Sequence, residues 1–338
     1  MPRTKPSRAH LALVQAIAKR GGNATVTQVE RWQQQGWLPK PSTWFAPGSA
    51  AVEPEYLERA LYLASTVRPG ASIGWVGWFF WAVDDTPDSA RRLRTDLVAT
   101  LERPLRRAGI TGLPAGSSDR AFQARRDAAA RMTPNRRASR RDLDQMLRDR
   151  FAEAGIDLPP GSPDALPNVH HWALVEPGAR LLLGGAEDLG IEDLLEALEQ
   201  ALPEHTEAID HLREEHRQAE LAGTDPMAES LWGGGIAAMV HTVAAAGDRD
   251  LCRAVHVCTR AVAVLQSLMR RAQDEPEIFA LLTRDVMWRR WATDGGIVPE
   301  GAPGLAAIAL HTYQYLADPD WAAELDRYLF VMYALYVV

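Results

Sequence analysis

Hydroxyl, amide and guanidinium side chains gather in residues 25–41, TVTQVERWQQQGWLPKP. On a helix, Thr27, Gln28, Arg31 and Gln35 would offer the donors and acceptors that read base edges in a DNA major groove. Lys40 follows closely, and Arg3 and Lys5 lie in the N-terminal arm. Their charge suits phosphate, which positions a protein on a duplex without reading its sequence. Two further groups have the residue types of a cation site. Asp84, Asp85 and Asp88 cluster carboxylates, whose oxygens are the ligands magnesium prefers. Glu207, His211 and Glu215 recur at intervals of four and share one helical face, where a charged, solvated helix laced with pairs is the plainer account. Gly233, Gly234 and Gly235 lack the Lys and the Ser or Thr of a phosphate loop, and read as a hinge or a close helix contact. With no Gly-x-Ser-x-Gly elbow and no Cys–His spacing, no catalytic residue, metal or cofactor is assigned.

The elements that must hold the first group are legible. Thr25 and Thr27 can each cap a helix start. Val26, Val29 and Trp32 fall three apart on a narrow apolar face. Gly36 supplies the left-handed residue that closes a helix, and Pro39 prevents its return. Residues 7–20 form a candidate first helix, ended by Gly21 and Gly22.

Helix, Gly-Trp-Leu-Pro turn and flanking segments together resemble the DNA-binding domain of the MerR family of transcription regulators. That family has a helix–turn–helix, a Gly-Leu-Leu-Pro turn into a wing, and two more helices. Here Gly36, Trp37, Leu38 and Pro39 match the turn, and Trp32 an aromatic of the recognition helix. The resemblance implies a wing over 40–54, helices over 55–68 and 72–83, and core roles for Trp32, Trp37 and Leu38. It covers roughly the first 85 residues. Glu30 departs from it, standing where the family carries a basic residue, and Gly48-Ser-Ala-Ala replaces the family's Gly-Tyr-Arg.

Charge is distributed unevenly. Residues 1–83 carry +5, residues 84–88 carry −3, residues 89–151 carry +9 and residues 152–338 carry −18, for a net −7. A basic front half and an acidic remainder suit a polyanion-facing region joined to a separate module. Cys252 and Cys258, the only cysteines, cannot build a disulfide framework, and their spacing turns them to different sides of a helix. A reduced, cytoplasmic setting follows as the expectation. No apolar run has the length of a membrane span, and the apolar 329–337 reads as a buried final helix or an oligomer contact.

Strand signals are scarce, so the expected class is all-α: an N-terminal winged helix–turn–helix followed by a multi-helix C-terminal domain. The expected organisation is a helix–turn–helix domain over 1–85, an Arg-rich helical segment over 86–157, a Pro-rich linker over 158–167 and an acidic all-helical domain over 168–338. Expected helices include 88–107, capped by Asp88 or Ser89 and cut short by Pro104, then 120–131, 140–154, 191–202, 204–221, 227–246, 250–273, 275–290, 304–316 and 321–336. The reading is a sequence-specific regulator, not an enzyme, that binds double-stranded DNA as a homodimer. Its C-terminal domain would serve dimerisation, or a small-molecule or protein partner. The competing reading is an enzyme. Asp84, Asp85 and Asp88, with Trp75, Trp78, Phe79, Phe80 and Trp81 before them, resemble the Asp-Asp-x-x-Asp motif of class I terpene synthases, which implies magnesium and a diphosphate substrate. A third is a protein-interaction module.

Overall fold

A computed structural model describes residues 7–66, 74–110, 112, 118–132, 171–201, 206–230, 233–274 and 305–336. They form fifteen α-helices, and the only β-pairing among them is one isolated bridge. The chain is therefore all-α over what is described. Arg3, Lys5, residues 133–157 of the Arg-rich segment, the linker at 158–167 and the helix expected at 275–290 lie outside the described residues. Contacts divide the chain into one unit of residues 1–95 and 247–261, and a second of 96–246 and 262–338, two of the three divisions falling within helices.

In the first unit, α1 (Arg8–Lys19) starts at Ser7, whose hydroxyl accepts from the His10 N–H. α2 (Val26–Gln34) starts at Thr25 rather than Thr27. The Thr25 hydroxyl accepts from the Gln28 N–H while Gln28 Oε1 accepts from the Thr25 N–H, a complete capping box. The helix ends as Gly36 turns to φ +74°, with Trp37 N–H on the Trp32 carbonyl and Gly36 N–H on that of Gln33, both at 2.9 Å. Those two bonds define a Schellman motif, and the positive φ is the reason for glycine there.

Residues 40–53 then make a 3-10 turn (Pro41–Thr43) and a loop closed by an antiparallel bridge between Phe45 and Val52. α3 (Pro54–Thr66) and α4 (Trp75–Asp84) follow. Leu13 and Ile17 of α1, Val29 and Trp32 of α2, Leu38, Trp44, Leu63 and Phe80 close one core. Each large side chain so buried contributes about 1.5–3 kcal/mol. Trp44 also donates its indole N–H to the Pro39 carbonyl at 3.1 Å, and His10 meets its ring edge-on.

α5 (Pro87–Leu101) is capped by Thr86, not by Asp88 or Ser89. Pro87 occupies the first helical position, which leaves Thr86 to accept from the Ser89 N–H while Ser89 Oγ accepts from the Thr86 N–H. The helix stops before Pro104, as its lost N–H and ring clash require, and α6 (Arg103–Arg107) starts anew.

In the second unit, α7 (Asp119–Met132) packs on α8 (His171–Gly184), which also carries α9 (Ile191–Ala201). α10 (Thr206–Leu221) packs on α9. The single helix expected over 227–246 is instead two, α11 (Pro226–Glu229) and α12 (Gly235–Ala245). The reason is a backbone contact. Gly233 gives its carbonyl to the Ala186 N–H at 2.9 Å, and Gly235 sits at φ +59°. α12 packs on α14 (Leu305–Ala317), and α14 on α15 (Pro319–Tyr336). On α15 Phe330 is 75% exposed, so at that residue the final apolar helix is not buried. α13 (Asp248–Asp274) supplies Leu251, Cys252, Val255 and Cys258 to the interior of the first unit. No described helix is long and apolar enough to cross a membrane.

Candidate nucleic-acid interface

α2 has two unlike faces. Val29 and Trp32 are 0% and 1% exposed against the core, whereas Thr27, Arg31 and Gln34 are exposed. These three fall at i, i+4 and i+7, which is one stripe along the helix. Neither Arg31 nor Lys40, also exposed, makes a side-chain hydrogen bond or ion pair among the described residues.

The two other expected reading residues have structural duties. Gln28 is half-buried, and its Oε1 accepts from both the N–H and the hydroxyl of Thr25. Gln35 is the exposed residue that caps the helix end. Gln34 was not among the residues expected to read bases. The i+7 relation to Thr27 was available in the sequence as the signal that would have found it.

Behind this stripe the end of α2 is held by residues far along the chain. The Trp81 indole N–H donates to the Gln35 carbonyl at 3.0 Å. Arg92 Nη1 donates to the Gln34 carbonyl at 3.1 Å, and its Nε to Asp88 at 2.9 Å. Carbonyls of the last turn have no partner within the helix, so these bonds complete it. Gly36 fits the same corner, because a β-carbon there would stand 3.1 Å from Trp81 Nε1. α4 and α5 thereby fix the angle at which α2 is presented.

The acidic run serves packing. Asp84 forms a two-pronged ion pair with Arg59 at 2.6 and 3.0 Å, and the Arg59 guanidinium lies 4.3 Å over the Phe80 ring. Asp85 turns left-handed at φ +44° to close α4. Asp88 binds Arg91 and Arg92, and the hydrogen bond from Arg92 leads in holding its carboxyl below the ordinary range. The three carboxylates thus point to separate duties, and Trp78, Phe80 and Trp81 are buried in the protein's own interior. On α10, His211 meets Glu215 at 3.1 Å and His216 meets Glu220 at 3.3 Å, while Arg217 leads in drawing Glu214 down to about 2. That is a solvated helix laced with pairs at i, i+3 and i, i+4. No group of three His, Cys, Asp or Glu among the described residues is placed to hold a metal.

Cys252 and Cys258 are free and buried. Burial, then the Asp85 carboxylate beside it, pushes the Cys252 thiol up to about 11. Only the thiolate is nucleophilic, so burial and the raised value together predict slow reaction of native Cys252 at neutral pH. Labelling by a disulfide reagent at pH 7 is expected to run at least about a hundredfold slower in the native protein than in denaturant. Equal rates would show that the thiol is neither buried nor protonated as described. Comparison of the chain with protein-family models, with curated proteins and with solved structures finds no match.

Proposed function

We propose that the protein is a DNA-binding transcription regulator whose α2 enters the major groove. The observation that carries this reading is the exposed Thr27–Arg31–Gln34 stripe on a helix locked from behind by Trp32, Trp81 and Arg92. Groove readout needs that combination: free donors in front and a fixed backbone behind. In this reading α1 and α2 are the helix–turn–helix, and the bridged loop at 45–52 is the wing of a MerR-like domain. Arg31 contacts a base edge or an adjacent phosphate, with Thr27 and Gln34 beside it. Lys40, with Arg3 and Lys5, neutralises phosphates. Gln28 and Gln35 act mainly by shaping the two ends of the helix.

One such domain makes few contacts, so a homodimer on a two-fold site is the expected binding form. The acidic second unit then supplies dimerisation or responds to a partner. A cytoplasmic setting suits two free thiols.

Fluorescence anisotropy with duplex DNA at two salt concentrations tests the proposal. Affinity should fall as salt rises, because cationic side chains displace counterions from phosphate. Arg31→Ala should weaken binding by about 1–3 kcal/mol at matched salt. Binding that Arg31→Ala leaves unchanged would remove α2 from the groove, and no binding at low salt would remove DNA as the ligand.

A further inference from the structure

Arginines of the second unit that the DNA reading does not use surround a cavity of about 600 Å³. Arg103 and Arg107 are one helical turn apart on α6, and Arg131 comes from the end of α7. Thr100, Pro104, Ala108, Leu305 and Ala306 complete the described lining, which contains no acid. All three guanidiniums are exposed and lack an ion pair or side-chain hydrogen bond among the described residues. Their neighbour Arg106 behaves differently: it pairs with Glu102 at 3.7 Å and donates to the Ala99 carbonyl. The contrast separates the cavity arginines from an ordinary solvated basic helix, whose charges find partners at i, i+4.

We propose that this cavity binds a small molecule carrying a diphosphate or paired phosphate groups. Three like charges around one concavity repel one another until an anion enters, and guanidinium forks match phosphate oxygens in pairs. The volume is that of a small-ligand site rather than a flat surface for a duplex. The apolar side of the lining, Pro104, Ala108, Leu305 and Ala306, accommodates the uncharged body of such a molecule. Thr100 adds a hydroxyl-bearing residue to the lining. The inference stands apart from the DNA reading, since none of these residues belongs to the first unit.

Calorimetric titration of the full chain with inorganic pyrophosphate, at constant ionic strength, is the test. Saturable binding at one site is expected, weakened at least tenfold by Arg107→Gln and by Arg131→Gln and unchanged by Arg106→Gln. All three substitutions are at exposed positions, and a thermal melt of each checks that it remains folded. Absence of saturable binding would overturn the proposal. Equal weakening by all three variants would overturn it too, as the mark of diffuse charge attraction. If Arg107→Gln and Arg131→Gln weaken duplex DNA while pyrophosphate fails to bind, the arginines contact a nucleic-acid backbone and the proposal falls.

Discussion

Arg125→Ala is expected to destabilise the second unit by about 3–5 kcal/mol, the usual cost of leaving one member of a buried ion pair alone. Arg125 and Asp188 are 6% and 4% exposed at their side chains and meet through two hydrogen bonds of 2.5 and 2.6 Å. The bond to Asp188 leads in pushing the Arg125 guanidinium above its ordinary value. Arg180 adds a bond of 2.9 Å to the Asp188 carbonyl and an ion pair of 2.9 Å with Asp193. The pair therefore ties α7 to the turn after α8, where Ile110, Ala128, Ala129, Ala179 and Leu183 form the adjoining apolar cluster. Thermal unfolding followed by circular dichroism should show a fall in Tm of about 10 °C. Replacing both members with apolar residues, Arg125→Met with Asp188→Leu, should recover most of the loss, because no charge is then buried alone. A single variant as stable as the parent would mean that Asp188 finds water in the folded state.

Gly185→Ala is expected to be as damaging, for a backbone reason. Gly185 sits at φ +67°, and a β-carbon there would lie 2.0 Å from the Gly233 carbonyl oxygen. Neither atom is at the end of a flexible side chain, so the contact cannot be relieved by a rotamer change. The Ala186 N–H bond to Gly233 would have to open as well. Strain from the left-handed backbone alone is about 1–3 kcal/mol, and with the clash the total reaches on the order of 4 kcal/mol. Urea unfolding of the variant against the parent measures it. A midpoint within error of the parent would show that the Gly185 and Gly233 backbones do not approach as described. An alanine at Gly223, which is also left-handed at φ +79° but has open space around it, should cost only the conformational part and serves as the control.

Local signals specified much of the candidate interface. The spacing of Val26, Val29 and Trp32, the Thr25–Gln28 box and Gly36 set the limits of α2 within one or two residues, because each acts through bonds inside the helix. The core role of Trp32 was legible for the same reason, since a buried helical face is written in periodicity, whereas that of Leu38, beyond the helix end, was implied by the resemblance alone. The separate duties of Asp84 and Asp88 were less so. The partner of Asp84 is Arg59, 25 residues earlier, and no local pattern announces it.

Helical content, the ends of most helices and the charge of each region follow from the order of the amino acids alone. Propensity, caps and breakers are short-range interactions and need no neighbour from elsewhere in the chain. Helix packing, in contrast, set Trp81 and Arg92 to close the end of α2 across 46 and 58 residues. It alone divided residues 227–246 into two helices through the Gly185–Gly233 contact, and brought Arg131 to the same cavity as Arg103 and Arg107. Those outcomes depend on which surfaces meet when helices pack, a long-range choice governed by shape and by the satisfaction of buried polar groups.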